Sequence, residues 1–438
     1  MTKFLKSLAV LLALPLVLVG CKINSINYFP PKPAHIRVVN VLGTTTPIDV
    51  VANGVTVWSG LGFETMTAYM DFENVTTKIQ VRLTGTDNIL VDQTYNPAGD
   101  QNYTLVVYGT TLIPSLGVMA DVTQAPPSGK FALNVYNAAP IGNGAAVGTI
   151  SVDLYLTAPG VPIETASPTF TYIAFSAGNI FGQYDAGQYQ LRLTVAGTKA
   201  IVYDSGTLTL NAQTATDVIM YSRGSEILPN VLLNDSDGAG LQRIANNLLA
   251  RIKVVNGAFQ TGPVDQLLND KAIVSNLAYN TASLYNVIPA GAGTVTFQAT
   301  AAPGATIATL ANTFAGATDQ TVFITGFAGS TKAVALLDNN LPPGTGLAAI
   351  RYVNASPDSG TLDAYANDIL QASSIATNTA SAYAGVFAGT YALTFKDHVT
   401  GQPVLALPGI GFNAGQTYSV YVVGPAGTLA GLATADSP

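Results

Sequence analysis

The sequence predicts an all-β protein: tandem immunoglobulin-like antiparallel β-sandwich units, four in number. Three observations predict it. Thr, Val, Tyr, Ala, Gly and Asn dominate, and charged residues make up only 10% of the 438 residues, which is the usage of short strands joined by tight turns. No stretch beyond the N-terminus shows sustained helical periodicity. A motif of five residues opens four successive segments of similar length, and a single core rarely grows past about 250 to 300 residues.

The N-terminus comes first in the chain. Lys3 and Lys6 precede a continuous apolar stretch over residues 8–19, and Gly20 is followed by Cys21. A charged start, an apolar run too short to span a bilayer and a small residue at the cut are the parts of a secretory signal. Residues 1–20 are therefore expected to be removed. Cys21 is the only cysteine of the chain, and an unpaired thiol is a liability in an exported protein. Leu18-Val19-Gly20-Cys21 resembles the bacterial lipobox, which implies acylation of the Cys21 thiol and attachment to a membrane through lipid. Two or more acyl chains make such attachment stable. Lys22 is not the aspartate that holds lipoproteins of diderm bacteria at the inner membrane, so the resemblance implies the outer membrane, with the periplasmic or surface face left open. Residues 21–33 carry Pro30, Pro31 and Pro33 and read as a stiff tether.

The opening motif is Ile36-Arg-Val-Val-Asn40, and it returns as Leu133-Asn-Val-Tyr-Asn137, Ile252-Lys-Val-Val-Asn256 and Ile350-Arg-Tyr-Val-Asn354. The asparagines lie 97, 119 and 98 residues apart. An aspartate follows nine residues later in three copies, as Asp49, Asp265 and Asp363, and sixteen later in the second, as Asp153 behind a Gly/Ala-rich insertion over residues 142–148. Each copy then carries a mid-domain aromatic (Tyr69, Phe181, Tyr285, Tyr383) and closes on a β-rich segment ending in glycine, at residues 103–109, 218–224, 320–326 and 418–424. These marks divide the chain into units over residues 34–122, 130–234, 250–338 and 347–438.

Within the opening motif, Ile36 and Val38 share a face and Arg37 points the other way, the pattern of a half-buried antiparallel strand. Asn53-Gly54 between two apolar runs is a strong hairpin signal, because both residues tolerate positive φ. Residues 189–195 and 199–203 read as a second hairpin. Between units the chain runs through turn-rich joints. In the longest, apolar residues at 241, 244, 248 and 249 predict a short helix near residues 241–250.

Candidate chemistry is sparse. The two histidines, His35 and His398, fall in the first and last units, so a histidine zinc site is excluded by count and no metal ligand set is expected. Around Ser176, Ala174-Phe-Ser-Ala-Gly178 lacks the first glycine of a nucleophile elbow and its unit has no histidine, so it reads as a turn. A Ser-His-Asp triad would have to be assembled across units. Asn234-Asp-Ser-Asp-Gly238 lacks the third acidic ligand and the glutamate of a calcium loop. The repeated Asn and Asp are read as structural, tying loop backbone within each copy. Tyr103 and Tyr418 read as tyrosine corners, and Trp58, just past a hairpin, reads either as an exposed aromatic or, at least as well, as a core residue. No cofactor is expected. The formal charge of -7 and the absence of a basic cluster argue against nucleic acid.

The opening Arg-Val-Val-Asn, the fuller Arg351-Tyr-Val-Asn-Ala-Ser-Pro-Asp358, the Ala-Gly-Thr-Tyr391 turn and the closing Ala414-Gly-Gln-Thr-Tyr418 resemble the domain of unknown function 4397 family, found in tandem in bacterial envelope and secreted proteins. The resemblance implies a sandwich fold and no established activity. The expected function is a non-catalytic cell-envelope lipoprotein that displays its modules for structural, binding or adhesion roles, toward a protein or glycan. The rival is an envelope glycan-active enzyme, which needs two carboxyls about 5 to 9.5 Å apart in a cleft.

Overall fold

A computed structural model describes residues 32–43, 46–73, 75–141, 150–235, 242–344 and 346–436. The signal segment, Cys21, most of the tether and the insertion at 142–148 lie outside them. Among the described residues the regular secondary structure is all β-strand apart from one three-residue 3-10 turn at Ile163–Thr165. It forms eight sheets, two for each of four sandwich units. No described helix is long and apolar enough to cross a membrane.

The first unit sets the pattern. One sheet contains the opening strand Ala34–Gly43, the closing strand Asn102–Thr110 and the last strand Pro114–Ala120, with Thr65–Met66 and Met70–Phe72 on the other side of the opening strand. The second sheet is Val55–Leu61, Ile48–Ala52, Thr77–Leu83 and Ile89–Tyr95. The hairpin at Asn53-Gly54 forms as expected, with φ of 49° and 83° at the two central residues and Ala52 opposite Val55. Residues 187–195 and 201–210 likewise pair in the second unit.

The opening strand departs from the sequence expectation in two ways. It runs parallel to the closing strand, with Arg37 opposite Thr104, because the intervening chain travels through the second sheet before returning, and such a crossover delivers strands in the same direction. It is also buried on both faces. Ile36, Val38 and Leu42 meet Ile48, Val50, Ile79 and Val81 of the second sheet in the unit's own core. Val39 and Val41, on the opposite face, join Val106, Tyr108 and Met119 and pack on Tyr136, Ile219, Tyr221 and Leu232 of the second unit. The Val-Val pair in the motif thus supplies one residue to each of two cores, and each valine so buried contributes about 1.5 to 3 kcal/mol.

Units 3 and 4 repeat the arrangement. Their opening strands, Leu249–Phe259 and Leu347–Asn354, run parallel to closing strands Asp319–Phe327 and Thr417–Val423. Val255 and Phe323 of unit 3 pack on Val353, Tyr421 and Val423 of unit 4. Face-to-face packing of opening sheets therefore joins the units as two pairs.

The helix expected near residues 241–250 is absent. Gln242–Ala245 is a strand on the edge of the second unit's opening sheet, paired with Pro229–Asp235, and Leu249 already begins the third unit's opening strand. So short a segment gains little from helix formation and more from an open sheet edge. There Ala245 is buried while Ile244 and Leu248 remain exposed. Asn234 and Asp235 belong to the strand Pro229–Asp235 rather than to a linker turn.

Candidate functional site at the junctions between units

The repeated asparagine and aspartate serve the fold. Asn40 donates through Nδ2 to the carbonyls of Leu61 and Gly62 and accepts from the Leu42 amide. Asn256 and Asn354 do the same with Leu277 and Gly262, and with Ile375 and Gly360. Asn137 keeps the pattern with Ile173 and Ala139.

The aspartate holds a bulge in the neighbouring strand. Asp49 accepts from the Gly60 amide, Asp265 from Asn276, Asp363 from Ser374 and Asp153 from Tyr172. Each of those four donors has a positive φ, between 53° and 68°. Strand register shifts beside each of these aspartates. A residue forced into the left-handed region leaves its amide out of the ladder, and the carboxylate satisfies it. Its second partner comes from across the sheet: Thr84 Oγ1, Thr300 Oγ1, His398 Nδ1 and the Gly197 amide in units 1, 3, 4 and 2.

In the fourth unit this clamp lines up a serine, a histidine and an aspartate. Ser374 Oγ lies 3.1 Å from His398 Nε2, and His398 Nδ1 lies 2.9 Å from Asp363. The sequence reading placed any such set across units, whereas one unit supplies all three. The same positions hold Gly60 and Thr84 in the first unit and Asn276 and Thr300 in the third, around the same aspartate. The arrangement is the bulge clamp with different side chains. The His35 side chain meets exposed Asp71, at 2.6 Å. Ser176 sits in a turn and bonds Tyr108 of the first unit at 2.7 Å. Tyr103 and Tyr418 accept from amides five residues upstream, at Ala98 and Asn413, as a tyrosine corner does. Trp58 is half-buried, its ring 5.7 Å from that of Phe72.

What the sequence reading missed is the ionic chemistry buried between paired units. Arg37, Lys253 and Arg351 occupy one position of the opening motif and are at most 2% exposed. In the last pair the bonds are reciprocal: Lys253 of unit 3 donates to Asp436 of unit 4, and Arg351 of unit 4 donates to Asp338 of unit 3. The two carboxylates are presented alike. Asp338 accepts from Thr321 and Tyr285 of its own unit, and Asp436 from Ser419 and Tyr383. The tyrosines are the mid-domain aromatics of the repeat, and their rings lie under the cations, 4.9 Å from Arg351 to Tyr383 and 5.2 Å from Lys253 to Tyr285. Burial works against the Lys253 ammonium, but Asp436 outweighs it and the group titrates above its ordinary range. Burial also opposes ionisation of Asp436, and Lys253 and Arg351 reverse this, holding it below the usual carboxylate range.

The first pair differs. Asn134 stands where the second unit would carry its cation, and Asp217 stands opposite it, in the register position that Thr104, Thr321 and Ser419 hold elsewhere. Arg37 donates to Asp217 at 2.7 Å and lies 3.4 Å from Asp121. One cation thus serves two buried carboxylates. Burial, reinforced by the charge of Asp121, pushes Asp217 up to about 8, and burial raises Asp121 as well. The proton one of them keeps prevents two like charges from being left in an apolar seam.

All four units contribute to one cavity of about 740 Å³, with Phe63 from the first, Arg223 from the second, Leu336 from the third, Leu341 from the joint that follows it, and Ala380 and Tyr383 from the fourth. Its walls are mostly apolar, and its size is within the range of small-molecule sites. Arg223 is engaged by Glu64 and Asn246. At the junction of units 2 and 3, Glu226 is buried with neither carboxylate oxygen hydrogen-bonded, and burial pushes it up to about 8. No group of three metal-ligating side chains occurs among the described residues.

The repeated opening strand with its Asn, Asp and Tyr partners is what a family comparison can detect. The sequence matches the family described as a domain of unknown function (DUF4397) over residues 34–155, 250–365 and 348–438. The chain belongs to this family. The DUF4397 matches fall on units 1, 3 and 4, and the second unit, where Asn134 replaces the cation, lies mostly outside them. Among solved structures, the Bacillus anthracis TIE protein aligns over 87% of this chain and 67% of its own, at 8% identity and a TM-score of 0.13. No curated protein matches.

Proposed function

We propose that this DUF4397 protein is a non-catalytic lipoprotein of the cell envelope, anchored through Cys21 at the outer membrane, whose paired sandwich units form a structural or adhesive scaffold for a protein or glycan. The observation that carries the reading is the use of the repeated polar residues. The asparagine ties loops, the aspartate holds a bulge, the tyrosine bonds the seam carboxylate of its own unit, and the cation reaches the carboxylate of the facing unit. Polar groups spent in this way rigidify and specify a structure and leave little free chemistry. The Cys21 anchor rests on the residues around it in the sequence. Tandem units also suit weak contacts multiplied by avidity.

Two experiments test the reading. Labelling cells with a tagged fatty acid is expected to mark the protein, and Cys21→Ala to abolish the mark. The chain from residue 24 onward, screened against glycans, peptidoglycan and envelope proteins, is expected to retain one of them and to hydrolyse none. Reproducible cleavage of a polymer would end the non-catalytic reading.

A further inference from the structure

We propose that Lys253 and Asp436 condense to an amide, a covalent staple between the third and fourth units. The proposal is independent of the envelope reading, since it concerns only groups buried between units. Lys253 and Asp436 are each 1% exposed, and the Lys253 Nζ contacts Asp436 Oδ1 directly. Their positions in the chain are 183 residues apart.

The surroundings suit acyl transfer. Lys253 Nζ approaches Oδ1, while Ser419 Oγ and Tyr383 Oη both donate to Oδ2, the latter at 2.9 Å. Two hydroxyls on the oxygen that carries charge in a tetrahedral intermediate are the elements of an oxyanion site. The amine is held against the carboxylate through Oδ1, so little translational freedom is left to lose. The ion pair contains the same protons as a neutral amine beside a neutral acid. Burial opposes charge on both groups, their mutual attraction overcomes it, and condensation therefore proceeds through the minor neutral pair. A proton passes from Nζ to Oδ1, the Nζ lone pair attacks Cγ, and the Cγ–Oδ1 bond breaks as Oδ1 takes a second proton from nitrogen and leaves as water. Oδ2 becomes the amide oxygen. No oxidant or further reactant is needed. The product also removes two charges from a buried seam, and Arg351 with Asp338 remain a neutral pair.

The molecule holds its own control. Asp338 receives the same set of bonds, from Thr321, Tyr285 and the cation of the facing unit, but that cation is Arg351. A guanidinium stays protonated and is no nucleophile. The first pair likewise has Arg37. Of the three cations in this position, only Lys253 has a nitrogen that can be acylated.

The test is a peptide map of the full chain, digested with trypsin under denaturing conditions and read by mass spectrometry. The expected result is a branched peptide joining Lys253 to Asp436, lighter than its two parts by one water, with no cleavage after Lys253. Lys253→Arg restores the residue that units 1 and 4 use, keeps the ion pair and is expected to give only linear peptides. Tyr383→Phe removes one oxyanion donor and is expected to slow formation of the branched peptide about 100-fold. Linear peptides with complete cleavage after Lys253 in the unaltered chain would overturn the proposal. A branched peptide surviving in Lys253→Arg would overturn the assignment of the nitrogen.

Discussion

At the seam between opening sheets, units 1 and 2 share one buried cation, Arg37, and two carboxylates, whereas units 3 and 4 share two of each. Arg223 and Glu64 add a separate ion pair between units 1 and 2. The backbone frame is the same in both pairs. What differs is one residue on the opening strand, Asn134 against Lys253 and Arg351, and one on the closing strand, Asp217 against Thr321 and Ser419. In the last pair every buried charge has an opposite charge beside it. In the first, a proton fills the missing place. Apolar packing joins the facing sheets in both pairs, and the buried charges are what distinguish one pair from the other.

The largest effect expected from breaking this comparison is at Arg37. Arg37→Met leaves Asp121 and Asp217 facing each other without a cation, and removing one partner of a buried charged set costs about 3 to 5 kcal/mol. Denaturant unfolding is expected to show that loss. A loss under about 1 kcal/mol would mean that the cluster is solvated in solution. Next is Asp217→Asn. The folded value of Asp217, about 8, lies above its ordinary one. The folded chain therefore holds a proton that the unfolded chain releases, so stability falls as pH rises from about 4 to about 8 and is level above. Removing the carboxylate is expected to flatten that slope and to stabilise the protein at pH 9 by roughly 2 kcal/mol. The last pair, where Lys253 and Arg351 hold Asp436 below the usual carboxylate range, is expected to lack the slope.

Smaller again is the aspartate clamp. Asp265→Ala strands the Asn276 amide and is expected to cost about 1 to 3 kcal/mol, measured as a shift in unfolding midpoint, and the same change at Asp49 should cost a similar amount. The smallest effect is at the exposed Ser374–His398 contact. His398→Gln is expected to change stability by less than about 1 kcal/mol. Ser374 is expected to resist fluorophosphonate, and labelling of Ser374 would make the row of three side chains more than a clamp.

The repeats, the hairpin at Asn53-Gly54 and the structural duty of Asn40 and Asp49 were legible in the sequence because each is a local pattern. An asparagine bonding the amide two residues on, or an aspartate eleven residues before the bulge it holds, recurs at fixed spacing. The meeting of units was not legible. Arg37 alternates with aliphatics and so reads as a solvent-facing residue, yet its partner Asp217 is 180 residues away, and no period in a strand records what covers its outer face. The expectation of a helix near residues 241–250 failed for a related reason. Apolar residues at 244 and 248 fit a helical spacing, but an unfilled sheet edge in the second unit is information that a ten-residue window does not contain. The buried acids of the seam were equally hidden: Asp121, Asp338 and Asp436 lie at or just past the ends of last strands, where a carboxylate ordinarily reads as a turn residue.

One property of the topology bears on how such a chain arises. Ile36, near the start of the first unit, is opposite Tyr103, and Tyr103 is opposite Ala120, near its end. Two strand spacings separate them, roughly 10 Å. Each unit is thus a closed excursion of the polypeptide that returns almost to its point of departure. A stretch of gene encoding one excursion can be copied or lost with only a few linking residues needed to rejoin the ends. The count of four is then an easily changed quantity, while the meeting of faces in twos favours gain or loss by the pair.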